Sequence, residues 1–181
     1  MLTRRRLAGA GGSILAGLAV PLSRLRAQAK VVEIHMRSNP DGSAVGFDPV
    51  GILIPPGATV RWVCDENVHT TASYSPENHD HALRIPKNAQ PWASDYMLPG
   101  QSFEVTLTEE GVYDYFCAPH ELAGMVGRII AGKPTGPGSL PFDYFKSEGQ
   151  HWREVPPEAQ RAFPSIADIV REKIIASPLK F

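Results

Sequence analysis

Residues 112–132 of the chain read VYDYFCAPHELAGMVGRIIAG. Two stretches rich in β-branched and aromatic residues, which are typical of strands, flank a short segment that contains one Pro and one Gly. Because Pro and Gly favour turns, the pattern predicts two neighbouring strands joined by a tight loop. The loop begins at Cys117, contains His120 and ends at Met125, so it brings a thiol, an imidazole and a thioether close together.

Strand and turn signals continue through residues 31–132. The segment VGILIPPGATVRWVC, residues 50–64, has a short apolar run, a Pro-Pro-Gly turn and then Val60, Trp62 and Cys64 at alternating positions. The 17 Pro and 16 Gly of the chain also favour many turns over long helices. Short alternating strands without helical periodicity between them predict an all-β fold, an antiparallel sandwich or barrel.

Two segments depart from this pattern. Residues 75–99 predict a long loop insertion, and loops of this length in compact domains are usually functional or flexible. Residues 133–181 form a C-terminal extension in which a short helix is predicted from Ser165 as the N-cap, with Asp168 at the third position and Pro178 as the end. Its apolar residues at helical spacing are Ile166, Ile169, Val170 and Ile174. This stripe could pack on the sandwich or contact another protein, and packing on its own core is the usual role.

The N-terminal segment, residues 1–29, predicts export. Three Arg at positions 4–6 precede a charge-free Gly/Ala-rich run, and Ala27-Gln28-Ala29 fits a cleavage site that would leave Lys30 as the first residue. The arginines resemble a twin-arginine signal, which implies a periplasmic or extracytoplasmic location. The alternative is an uncleaved anchor, but the run is short and weakly apolar for a spanning helix. We therefore expect no stable membrane insertion after cleavage.

Charge argues against a nucleic-acid partner. Residues 1–29 hold five of the 18 basic residues and no acidic one, so the remaining chain has 13 basic and 19 acidic residues. An acidic body lacks the basic surface that binds phosphate backbones.

The side chains of the loop favour copper. Thiolate, imidazole and thioether groups are soft ligands, which suit copper and are poorly matched to magnesium or calcium. An electron-transfer copper site has two His and one Cys in a trigonal arrangement with a distant axial Met. Cys117, His120 and Met125 supply three of these ligands, and His69, which follows the predicted strand VRWVC, is the natural fourth.

These segments resemble the cupredoxins, with the greatest similarity to plastocyanins and halocyanins. The resemblance covers about residues 31–132 and is carried by VYDYFCAPHELAGMVGRIIAG, GATVRWVCDENVHT and the IPPG turn. It implies a Greek-key β-sandwich that holds one copper ion, cycling between Cu(I) and Cu(II), on His69, Cys117, His120 and Met125. It also implies a one-electron carrier, not an enzyme, that docks transiently with redox proteins near His120.

Two positions differ from the family pattern. Thr70 stands where many members have an Asn that fixes the Cys loop, and Ala118 stands where many have Ser or Thr. Both positions affect hydrogen bonds around the ligands, and such bonds tune a metal site.

Several alternatives accompany this interpretation. Two Cys in an exported chain would ordinarily suggest a Cys64–Cys117 disulfide, but the spacing of His120 and Met125 favours ligation by Cys117. Cys64 is then expected to be a buried apolar residue. His79 and His81 could belong to a second metal site, although a solvated polar loop is favoured. Acidic residues could form a docking patch or simply be solvated; these are Asp65, Glu66, Glu109, Glu110 and Glu121.

Two other functions fit the same copper site. The chain could be an electron-entry subunit or fragment of a larger copper enzyme, or it could be a copper carrier. A single site with few cysteines argues against copper storage.

Overall fold

The structure is a computed structural model that describes residues 31–181. The predicted export signal, residues 1–29, lies outside the described residues. The strands are β1 (Val31–Ser38), β2 (Val45–Asp48), β3 (Gly51–Ile54), β4 (Ala58–Cys64), β5 (Ala72–Ser73), β6 (Ser102–Leu107), β7 (Gly111–Phe116), β8 (Val126–Ala131) and β9 (Ile174–Ile175). The α-helices are α1 (Tyr144–Ser147), α2 (Pro157–Ala162) and α3 (Ile166–Glu172).

The strands form two sheets that enclose one apolar core. One sheet has the order β2-β1-β4-β6 and the other has the order β5-β7-β8-β3-β9. Most neighbours are antiparallel, but β1 pairs with β4 and β3 pairs with β8 in parallel. The chain crosses between the two sheets several times, for example from β2 to β3, from β3 to β4 and from β6 to β7, as in a Greek-key sandwich. The predicted all-β sandwich with a partly helical C-terminal extension is confirmed.

Strand β4 has the alternation that the sequence predicts. Ala58, Val60, Trp62 and Cys64 are buried, and the residues between them are only partly buried. Successive side chains of a strand point to opposite faces, so one face of β4 meets the core and the other meets solvent.

Strand β7 is different, because all six of its residues are buried. Tyr113 and Tyr115 belong to the central core, whereas Val112 and Phe116 pack in two separate clusters with residues of the extension. The extension therefore covers the outer face of this sheet, as the apolar stripe predicts.

A buried ion cluster fixes the extension to β7. The carboxylate of Asp114 accepts hydrogen bonds from Arg84 Nε at 2.8 Å and from Arg128 Nε at 2.7 Å. The same guanidinium groups donate to backbone carbonyls of the extension, Arg84 to Gly138 at 2.8 Å and Arg128 to Pro164 at 2.9 Å. Two arginines that share one carboxylate thus hold the extension in place.

The helix predicted near residue 165 is present but shorter than expected. Ser165 caps α3, and its hydroxyl accepts a hydrogen bond from the amide of Asp168 at 3.0 Å. The helix ends at Glu172, so the prediction that Pro178 ends it is wrong. Ile174 lies in β9, which pairs with β3, because sheet pairing there replaces another helical turn.

Candidate metal centre

The loop after β7 is held closed by its own backbone. The amide of Cys117 donates to the carbonyl of Met125 at 3.0 Å, and the amide of Met125 donates to the carbonyl of His120 at 3.1 Å. Residues 118–123 form a 3₁₀ helix, which Gly124 ends with φ of 81°, a left-handed conformation that favours glycine. The backbones of the three predicted ligands are therefore joined directly.

His69 reaches the same place from the end of β4. Its amide donates to the carbonyl of Met97 at 3.2 Å, and the amide of Met97 donates to the carbonyl of His69 at 2.8 Å. Met97 belongs to the insertion, residues 75–99, so this segment returns to the site and fixes the backbone of His69. That role was not visible in the sequence.

Three donor atoms converge in the interior at the end of the sandwich. His69 Nδ1 lies 3.3 Å from His120 Nδ1, and Cys117 Sγ lies 3.4 Å from His120 Nδ1 and 3.8 Å from His69 Nδ1. His69 and Cys117 are fully buried, and His120 is half-buried. Met125 is also fully buried, in the same apolar cluster as Cys117.

Hydrogen bonds around His69 leave one lone pair for a metal. Its Nε2 lies 2.8 Å from the hydroxyl oxygen of Ser38, which can accept a hydrogen bond from Nε2–H. Nδ1 is then unprotonated and faces the other two donor atoms. Ser38 was missed by sequence reasoning, because no local pattern indicates that the end of β1 meets His69.

Thr70 fixes the Cys117 loop, the role that the resemblance assigns to an Asn at this position. Its hydroxyl accepts a hydrogen bond from the amide of Ala118 at 2.8 Å, and its own amide donates to Cys117 Sγ at 3.3 Å. The first bond fixes the start of the loop. The second favours a thiolate, because an N–H group stabilises negative charge on sulfur.

The electrostatics of the site favour neutral imidazoles. Burial, and then the nearby His120, lowers the pKa of His69 to about 4, and burial lowers the pKa of His120. Burial raises the pKa of the Cys117 thiol, although hydrogen bonds from Thr70 and His120 oppose the increase. Neutral imidazoles are ready to ligate, and a bound cation would supply the charge that makes the thiol ionise.

The spacing of the donor atoms fits one transition-metal ion. Metal–nitrogen bonds of about 2.0 Å and metal–sulfur bonds of about 2.3 Å place trigonal ligand atoms about 3.5 Å apart for two nitrogens and about 3.7 Å apart for nitrogen and sulfur. The observed N–N separation is 3.3 Å and the N–S separations are 3.4 and 3.8 Å, close to these values, and all three donor atoms lie within 4.8 Å of one another. The residues present therefore fit a copper ion.

Two expectations for the other polar residues are wrong. His81 was expected in a solvated loop and is fully buried, and Glu121 was expected to be solvated or in a docking patch and is buried. Both cysteines are free, so the alternative Cys64–Cys117 disulfide is excluded. Cys64 is a buried core residue, as predicted.

Comparisons with known proteins agree with this geometry. A family model described as copper binding proteins, plastocyanin/azurin family, matches residues 34–132. The chain is 32% identical over 131 residues to a chloroplastic plastocyanin of Tetradesmus obliquus, an alignment that covers 70% of this chain and 81% of the relative. It is 29% identical over 120 residues to a pseudoazurin of Methylorubrum extorquens, an alignment that covers 65% of this chain and 73% of the relative.

A solved pseudoazurin from Sinorhizobium shares the fold. The two structures have a TM-score of 0.53 and 27% sequence identity, and the match covers 74% of this chain and 90% of that one. The sandwich, the His-Cys-His cluster and these similarities together support one conclusion. The chain belongs to the plastocyanin/azurin family of copper-binding proteins and is a cupredoxin, a copper protein that carries electrons.

Proposed function

We propose that this cupredoxin is an extracytoplasmic one-electron carrier that holds one type 1 copper ion on His69, Cys117, His120 and Met125. The observation that carries the proposal is the convergence of His69 Nδ1, His120 Nδ1 and Cys117 Sγ within 4.8 Å of one another. When bound, copper would accept and return one electron as it alternates between Cu(II) and Cu(I).

The residues have separate roles in this proposal. Cys117 supplies the thiolate and links the site covalently to β7. His69 is held by Ser38 and by Met97, so its ring stays fixed when the charge of the site changes. Met125, which is buried beside Cys117, would act as the distant axial ligand.

His120 is the proposed port for electrons. It is half-buried, and exposed apolar residues lie close in sequence to His69, Met97 and His120. These residues are Val68 beside His69, Tyr96 and Leu98 beside Met97, and Leu122 close after His120. An apolar surface of this kind suits redox proteins that must dock briefly and dissociate quickly.

The proposed location depends on the N-terminal segment. We expect residues 1–29 to direct export and to be removed, which leaves a copper domain at residues 30–132 and an extension at residues 133–181. Within the residues that the structure describes, no helix combines the length and the apolar character needed to cross a membrane.

Absorption and electron spin resonance spectra of the copper-loaded chain from Lys30 test the proposal. We expect an intense thiolate-to-copper band at roughly 600 nm, which Cys117→Ala abolishes. Cys64→Ala is the matched control, because Cys64 is also free and buried, and it should keep the band. A parent protein without the band, or a band that survives Cys117→Ala, would contradict the proposal.

A further inference from the structure

A buried carboxylate lies beside the metal-binding loop. Glu121 follows His120 directly in the sequence, yet only 4% of its side chain is exposed. A buried carboxylate without partners costs several kcal/mol, so a stable loop requires groups that compensate its charge.

Three side chains donate hydrogen bonds to this carboxylate. The Tyr74 hydroxyl donates to Oε1 at 2.8 Å, and His81 Nε2 lies 2.9 Å from the same oxygen. Arg153 donates to Oε2 at 3.1 Å. Tyr74 and His81 are themselves fully buried, so the cluster is closed to water on that side.

The two ring nitrogens of His81 each face an oxygen atom at hydrogen-bond distance. Its Nδ1 lies 2.8 Å from the backbone carbonyl of Asn78, which can only accept, so Nδ1 carries a proton. Its Nε2 faces the carboxylate of Glu121, and this contact also requires a proton. A hydrogen bond therefore joins Nε2 to one carboxylate oxygen of Glu121, and Arg153 contacts the other oxygen.

Two of the three partners of Glu121 come from the two segments that depart from the strand pattern. His81 lies in the insertion, and Arg153 lies in the extension. Their backbones are also joined, because the amide of Ala82 donates to the carbonyl of Arg153 at 2.9 Å and the amide of Arg153 donates to the carbonyl of Asp80 at 2.7 Å. Glu121 is therefore the point where loop, insertion and extension meet.

The position of Glu121 in the loop makes this anchor relevant to His120. Successive residues of a 3₁₀ helix point about 120° apart, so Glu121 fixes a different side of the turn from the one that carries His120. Helix α2 of the extension supports the end of the same turn, since a Cβ atom at Gly124 would lie 3.3 Å from Cβ of Ala162. The loop is thus held from outside the sandwich as well as by its own backbone.

We propose that Glu121 is a positioning residue, whose bonds to Tyr74, His81 and Arg153 hold the loop so that His120 keeps one position with and without copper. The inference rests on the proposed function, because it assigns His120 a role as ligand. It gives the insertion and the extension a shared task, which is to limit movement of the loop when the charge of the site changes.

Two variants test the proposal. Glu121→Gln removes the charge while keeping the shape, and Tyr74→Phe removes one donor without changing the net charge. In the metal-free proteins we expect amide hydrogen exchange in residues 118–125 to become about tenfold faster. The reason is that loss of a buried hydrogen bond changes the equilibrium between the closed and open loop by about a factor of ten. In the copper-loaded proteins we expect altered copper hyperfine splitting and slower electron self-exchange.

Glu110→Gln is the matched control, because it removes one carboxylate charge from an exposed position at the opposite end of β7. It should leave loop exchange and hyperfine splitting unchanged. If Glu121→Gln does not fold, Tyr74→Phe decides. Wild-type exchange rates and spectra in the folded Glu121 and Tyr74 variants would overturn the proposal.

Failure of the positioning role can be distinguished from failure of the proposed function. A parent protein that shows no thiolate-to-copper band would refute the copper site itself. A parent with the band, whose folded Glu121 and Tyr74 variants behave like Glu110→Gln, would refute only the positioning role.

Discussion

Strands β4 and β7 each lead to a buried, free cysteine, but the two cysteines have different surroundings. The Sγ of Cys64 lies 3.3 Å from the carbonyl of Met97 and near two further carbonyls, so it remains a protonated thiol that donates. The Sγ of Cys117 receives the amide of Thr70 and faces two ring nitrogens. Burial and residue type are the same, and the neighbouring polar atoms decide which sulfur can bind a metal.

The two strands also differ on their outer faces. The outer face of β4 carries Arg61, which forms exposed ion pairs with Glu33 and Glu104. The outer face of β7 carries Asp114, which is fully buried between two arginines under the extension. The charge on the outer face of β4 is therefore exposed to solvent, whereas the charge on the outer face of β7 is part of the buried core.

The largest expected effect is a difference in the free energy of unfolding between variants at these two outer faces. Asp114→Ala leaves Arg84 and Arg128 buried without their carboxylate, and breaking a buried ion pair in this way costs about 3–5 kcal/mol. We expect a matching decrease in the free energy of unfolding, measured with urea. Arg61→Ala on β4 is the control, and its unfolding midpoint should stay close to that of the parent. Equal effects of the two changes would contradict the distinction between the faces.

The second effect concerns His69, which follows β4 and faces Cys117 at the end of β7. The pKa of His69 is about 4 in the folded, metal-free protein, below its ordinary value of 6.5. The unfolded chain therefore binds more protons between these values, so stability is full above pH 6.5 and is lost as the pH falls toward 4. The expected loss from this residue is about 3 kcal/mol.

Thermal or urea unfolding of the metal-free protein at several pH values measures this loss. His69→Gln is the control, because its side chain does not titrate, and the slope of stability between pH 4 and 6.5 should decrease. An unchanged slope in that variant would show that other groups cause the pH dependence.

The smallest of these effects concerns the Thr70 hydroxyl, which supports the start of the loop that carries Cys117. Thr70→Val keeps the shape of residue 70 but removes the acceptor for the amide of Ala118. An unsatisfied buried amide costs about 1–3 kcal/mol. We expect lower stability of the copper-loaded protein and a shifted reduction potential, measured by thermal unfolding and by voltammetry.

Thr70→Ser retains the hydroxyl and should restore both properties. A Thr70→Val protein with the parent's stability and potential would show that the Thr70 hydroxyl does not support the loop.

Sequence reasoning predicted the parts that depend on near neighbours. Alternation placed Val60, Trp62 and Cys64 on one face of β4, and the cap at Ser165 was found from its spacing to Asp168. The tight turn that ends at Gly124 follows from local backbone preferences. Each of these features is fixed by residues a few positions apart.

The same reasoning failed where a distant segment covers a residue. His81 and Glu121 are polar, and their sequence neighbours give no sign that they face each other in the interior. Strand β7 does not show in its sequence that the extension will cover its outer face. Burial of these groups depends on partners that are tens of residues away.

The sequence by itself determined the kinds of donor atom and the strand–loop–strand frame, because soft ligands and strand alternation are encoded locally. The tertiary structure alone decided that Ser38 directs His69, that Met97 fixes its backbone and that Glu121 is anchored to the insertion and the extension. The physical reason is that a buried polar group needs a partner, and only the folded chain brings that partner within hydrogen-bond distance.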